Sequence, residues 1–214
     1  DVSTLDMAHV TNASAMFSAA AAFNQPLSTW NVGAVTDFTN MFKNTSAFNQ
    51  PLGSWSLGSG INLSDMFSGA AAFNQDLSGW TFEGVTRFGL FLKNSALANQ
   101  NAGSGIYNYN KLLQRLASQN VEPNTSPGST VADRTIDSSP AKYSAGPPTV
   151  ARAALTARGF TITDGGQTNK NVPNAPEGVF GVKDGNSATI TWTAPNDNNS
   201  PITGYTVTAI HKTD

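Results

Sequence analysis

Histidine, the commonest general base, occurs twice in this 214-residue chain, as His9 and His211. A serine-histidine-aspartate relay needs an imidazole held between a hydroxyl and a carboxylate. Neither histidine has a recognisable motif around it, and His9 reads as a solvated loop residue. Asp37, Asp65, Asp76 and Glu83 lie without the paired spacing that acid/base work on a substrate requires. No glycine loop has the pattern of a phosphate cradle. "TDGG" at 163 and "NDNN" at 196 read as turns, with calcium as the alternative their oxygens leave open. With no cysteine there is no thiolate ligand and no disulfide frame. No catalytic, cofactor-binding or metal-binding residue is therefore expected, and the chain reads as a non-enzyme.

What remains for chemistry is hydroxyl and amide. Small polar residues recur at a fixed interval: Ser3, Ser28 and Ser78; Thr4, Thr29, Ser54 and Ser104; Thr11, Thr36 and Thr86. Ranks of this kind suit hydrogen bonding to a glycan or a protein. Ser28, Thr29, Ser54, Ser78 and Asp76 are the candidate binding surface. Charged residues make up 12% of the chain and net charge is −2, so no basic field exists to recruit nucleic acid or an anionic membrane. No apolar run approaches the roughly 18–20 residues of a membrane span.

The elements that hold these columns repeat every 25 residues. Phe23, Phe48 and Phe73 keep that spacing, as do Leu27, Leu52 and Leu77, and Trp30, Trp55 and Trp80. Met16, Met41 and Met66 lead to Phe91. Apolar residues at fixed repeat positions read as core anchors. Asn24, Asn49, Asn74 and Asn99 never vary and are expected to form an amide ladder from copy to copy; Gln25, Gln50, Gln75 and Gln100 are read the same way. Projected backwards, the register puts Asp1 in the Pro26 column, just after a missing "FNQ". The sequence thus reads as part of a longer protein.

Within each copy "FNQPLSTWNV" reads as a short strand. "VTDFTNMFKNTSA", with Phe38, Met41 and Phe42 at helical spacing, reads as a helical turn. A unit so small buries its apolar face only by stacking on its neighbours. The expected fold is an α/β repeat solenoid over 1–106 and an α+β cap over 107–166. A linker over 167–174 and part of a β-sandwich over 175–214 follow. In the cap, Leu112, Leu113 and Leu116 predict one helix, and "PPTVARAALTARG" predicts another from its leading prolines and closing Gly159.

"VTDFTNMFKNTSAFNQPLGSW" and "MFSGAAAFNQDLSGW" resemble the BspA-like leucine-rich-repeat surface proteins, also found among mycoplasma lipoproteins. Phe38, Leu63 and Phe88 depart from that family's first methionine, and Gly60 with Ile61 breaks its valine column. The resemblance implies a right-handed, leucine-rich-repeat-like coil on a bacterial surface that binds or adheres, with no shared catalytic residues. "ATITWTAPNDNNSPITGYTVTAI" resembles the first half of a fibronectin type III domain. The expected function is a secreted or cell-surface adhesion module binding protein or glycan on another surface. The alternative is a structural subunit of an extracellular filament, sheath or virion appendage whose copies stack on one another.

Overall fold

The computed structural model describes residues 2, 4–98, 105–168, 176–184, 187–195 and 204–207. It divides into two compact units, Asp1–Thr168 and Asn169–Asp214.

In the first unit the 25-residue copies lie one upon the next, but not as the sequence suggested. The expected α/β repeat solenoid, with a strand and a helical turn in every copy, is not formed. The described residues hold two α-helices, both outside the repeats, and three two-stranded sheets. This is a small mixed α/β fold. The repeats are built from successive tight turns, each rung hydrogen-bonded to the next.

The reason is backbone handedness. Phe38, Met41 and Phe42 do close i→i+3 bonds, Met41 N to Phe38 O at 3.0 Å and Thr45 N to Phe42 O at 3.1 Å. But Asn40 and Asn44 sit at φ 59° and 57°, in the left-handed region where a right-handed helix cannot continue. Asp65, Leu90 and Ala15 repeat the first of these positions, and Gly69, Asn94 and Ala19 the second. Each rung therefore turns at two fixed points. Its apolar side chains face inward between them.

The "FNQPLSTW" segments are not strands either; they run irregularly into a turn at Ser28–Thr29, Gly53–Ser54 and Ser78–Gly79. Regular strand pairing lies elsewhere. β1 (Ile61–Asn62) and β2 (Val85–Arg87) are parallel, and single parallel bridges join Asn12 to Asp37 and Asp37 to Asn62. Gly60, at φ 71°, takes the extra step that brings Ile61 to full burial in the valine column. The broken column is thus repaired by a bulge.

Beyond the repeats, α1 (Gly105–Ser118) buries Tyr109, Leu112, Leu113 and Leu116. β3 (Thr135–Asp137) and β4 (Thr161–Thr163) form a parallel pair around α2 (Pro147–Ala157). α2 starts at Pro147 and Pro148, where missing N–H groups cost nothing, and ends before left-handed Gly159. β3 follows a short 3₁₀ turn, Ala132–Arg134.

In the second unit β5 (Glu177–Asp184) and β6 (Ser187–Thr193) form one antiparallel pair. Of the part of a β-sandwich expected over 175–214, only this one antiparallel pair is formed among the described residues. Residues 204–207 are not in a strand. The rings of Trp192 and Tyr205 meet at 5.0 Å, but Val179, Phe180, Val182 and Val207 stay exposed because no second sheet lies over them among those residues.

Candidate functional site

The apolar columns form the base on which the polar ones stand. Trp55 lies between Trp30 and Trp80, with centroids 6.5 and 6.3 Å away and planes 3° apart. Phe42 lies likewise between Phe17 and Phe67, and Phe48 between Phe23 and Phe73. Each indole N–H also finds a partner one copy back. Trp55 Nε1 donates to Leu27 O at 2.9 Å and Trp80 Nε1 to Leu52 O at 2.7 Å. Leu27, Leu52, Leu77, Met41, Met66, Phe48 and Phe73 are fully enclosed. Met16 and Phe23 are exceptions among the anchors. Met16 is 40% exposed and Phe23 half-buried, because no described rung covers them.

On the surface, the asparagine column joins copies, though through backbone and glutamine as much as through its own kind. Asn24 Oδ1 accepts from Asn49 N at 2.9 Å and from Gln50 Nε2 at 3.0 Å. Asn49 Oδ1 accepts from Asn74 N at 2.9 Å and from Gln75 Nε2 at 2.8 Å. Each glutamine also donates to the preceding asparagine's carbonyl. Asn99 lies outside the described residues. Asn108 of α1 takes the next place: its Nδ2 donates to Asn74 O at 2.9 Å and to Asn74 Oδ1 at 3.2 Å, as Gln75 does to Asn49.

The hydroxyl columns are tied in the same way. Ser54 Oγ donates to Ser28 O at 3.1 Å, Thr36 Oγ1 to Thr11 O at 3.2 Å and Thr86 Oγ1 to Ile61 O at 3.1 Å. Thr29 and Ser28 are exposed. Glycines allow the coils to approach here. A Cβ on Gly58 would stand 2.5 Å from Gly33 O, and one on Gly84 or Gly79 would collide with Gly58 O or Gly53 O. Asp76 caps its own turn, accepting from Ser78 N at 2.9 Å, and pairs with Lys111 Nζ at 2.7 Å. Partial burial alone would raise the Asp76 pKa. The bonds from Lys111 and Ser78 outweigh it and hold the carboxyl below its ordinary value. His9 is exposed, and His211 lies outside the described residues.

α1 closes the far end of the repeats along one stripe. Below Asn108 and Lys111, Arg115 Nε and Gln119 Nε2 both donate to Trp80 O, at 3.0 and 3.1 Å. Gln119 Oε1 accepts from Phe82 N at 2.8 Å. The sequence reading missed this stripe, although its spacing of three, four and four residues was available.

It also missed a buried polar node. Asp164, in one of the turns considered for calcium, has a side chain 2% exposed. It accepts from Arg152 Nε at 2.9 Å and Tyr109 Oη at 3.0 Å. Burial and the Asp164 charge push the Tyr109 hydroxyl well up, so it acts as a donor and not as an acid. Burial disfavours the Arg152 cation, but Asp164 more than compensates and raises its pKa. Every Asp164 contact is to its own fold, so the node latches α1, α2 and β4 together. No cluster of three or more metal-ligating side chains occurs among the described residues. No helix among them is long and apolar enough to cross a membrane.

A family model described as a Mycoplasma protein of unknown function, DUF285, matches residues 1–105. Searches of curated proteins and of solved structures each returned no match.

Proposed function

We propose that the repeat region is a non-catalytic binding module, displayed outside the cell, that presents its lateral polar columns to a protein or glycan. The observation that carries this reading is the fixed geometry of those columns. The half-buried amides of Gln50 and Gln75 and the exposed hydroxyl of Ser54 are each bonded to the neighbouring rung, at Asn24, Asn49 and Ser28. Groups already held in place lose little side-chain freedom on binding, which is where weak polar contacts normally forfeit affinity. A regular array also suits a ligand with a repeating pattern of hydroxyls or amides. The resemblance of residues 1–106 to bacterial surface proteins adds support, as does the low content of charge.

Glycan and protein arrays probed with the full chain test this. Binding is expected, and Ser54→Arg or Thr29→Arg should abolish it. Val150→Arg, at an exposed position on α2, should leave it intact. Failure to bind, or binding indifferent to the Ser54 and Thr29 changes, would overturn the assignment.

A further inference from the structure

The side-chain amides of Asn49 and Gln50 cannot be turned over. Asn74 N can only donate, so the Asn49 atom that it meets at 2.9 Å is the oxygen. Asn24 O can only accept, so the Gln50 atom that meets it at 3.1 Å is the nitrogen. Gln75 is fixed against Asn49 O in the same way, at 2.9 Å. The inner half of each amide is thus spent on the coil, and that choice also determines the outer half. Asn49 is left with its Nδ2 donor, and Gln50 and Gln75 with their Oε1 acceptors.

Among the described residues these three atoms hold no hydrogen bond. Asn49 and Gln50 lie in a rung with a copy on either side, and neither copy uses the outer atoms. Their freedom therefore belongs to the repeat and not to an end of the chain. Gln50 Nε2 meets Asn24 Oδ1 at 3.0 Å, and Gln75 Nε2 meets Asn49 Oδ1 at 2.8 Å. Each of these contacts leaves one asparagine donor and one glutamine acceptor over: Asn24 Nδ2 with Gln50 Oε1, then Asn49 Nδ2 with Gln75 Oε1.

A donor beside an acceptor, repeated once per rung, is the complement of a peptide backbone. An extended strand turns the C=O and N–H of alternate residues to one side. That gives one pair every two residues, or about 6.4–6.8 Å. The rungs repeat at a similar interval. Phe48, which precedes Asn49, lies 5.8 Å from Phe23 and 5.9 Å from Phe73, and Trp55 lies 6.5 and 6.3 Å from Trp30 and Trp80. A sugar chain fits less well. Its ring faces need an apolar platform, and Phe48, Phe73, Trp55 and Trp80 are all enclosed.

We propose that the asparagine–glutamine column binds an extended polypeptide laid along the axis of the repeats. Backbone carbonyls of that polypeptide accept from Asn24 and Asn49 Nδ2, and its N–H groups donate to Gln50 and Gln75 Oε1. This rests on the reading of the columns as a binding surface and gives that surface one ligand class, recognised by its backbone.

The probe is an acetylated, amidated heptapeptide of alternating serine and threonine, titrated into the isotope-labelled full chain. Saturable shifts of the side-chain amide signals of Asn49, Gln50 and Gln75 are expected. The fully N-methylated peptide, which keeps its carbonyls but has no N–H, should bind at least about tenfold more weakly. Asn49→Asp keeps the inward oxygen and turns the outward donor into an acceptor. It should weaken peptide binding by a similar factor without loss of stability in urea. The proposal is overturned if the three signals stay still, or if the parent and Asn49→Asp bind the peptide equally. A hexamer of N-acetylglucosamine that moves the same signals while the peptide does not would overturn it and leave the columns a binding surface. Array binding that Ser54→Arg abolishes, with no peptide shift at Asn49, would likewise overturn the ligand class alone.

Discussion

Asn49 gives the sharpest test of how the rungs are held. Its Oδ1 accepts two bonds from the next copy, Asn74 N at 2.9 Å and Gln75 Nε2 at 2.8 Å, while the residue itself is exposed. Asn49→Ala removes this acceptor, leaving Asn74 N to water and Gln75 Nε2 with only the Asn49 carbonyl. A neutral hydrogen bond contributes about 1 kcal/mol net, and exposure softens the cost of losing it, so the expected loss is about 1–2 kcal/mol. For the 168-residue unit that is roughly 3–6 °C in Tm. Asn49→Asp keeps an oxygen in place and should match or exceed the parent at pH 7, since charge-assisted bonds are the stronger kind. Urea unfolding followed by tryptophan fluorescence reads both variants, because Trp30, Trp55 and Trp80 lie in the stack. Equal losses from alanine and aspartate, or no loss from either, would refute the acceptor role.

Further outcomes follow from the same geometry. Leu90 is held at φ 55°, so Leu90→Asn should raise stability by about 1 kcal/mol in the urea assay, whereas Asn40→Val should lower it by a similar amount. Gly84→Ala puts a methyl against Gly58 O, a backbone atom that cannot swing aside, and should cost about 1–3 kcal/mol by the same measurement. Asp164→Ala strips Arg152 and Tyr109 of their shared partner, and about 3 kcal/mol should be lost in thermal unfolding. Asp76 has a folded pKa below its unfolded one of about 3.9. Its contribution is thus complete above that pH and fades as pH falls through the folded value. Asp76→Asn should flatten the acid limb of a stability–pH curve.

Much of the core was legible because each anchor recurs with the same neighbours. Leucine and tryptophan at 25-residue intervals can be enclosed only if the copies face one another. α1 was legible from Leu112, Leu113 and Leu116, and α2 from its leading prolines and Gly159. The local backbone was not legible from apolar spacing. Phe38, Met41 and Phe42 fall at helical intervals, yet two left-handed residues per rung make the same intervals out of turns. The signal was present in Asn40, Asn44, Gly69 and Asn94, residue types that tolerate positive φ at matched columns. Asn108 was hidden because the period fades before α1, and its likeness to Gln75 shows only in space. Nor does sequence place Asp164 beside Tyr109, 55 residues away. Of the candidate surface, the columns themselves were readable. What was not is that Ser54 is fixed by Ser28 of the rung beneath.

The central claim is that the exposed polar columns are rigid because each rung binds the next. Site-resolved amide hydrogen exchange on the full chain tests it most directly. Asn49 and Asn74 bond side-chain oxygens of the preceding copy. Their amides should therefore exchange as slowly as that of buried Phe42, although Asn49 is exposed. Exchange at the rate of a free loop at both positions would show that the columns move independently, and would contradict the account.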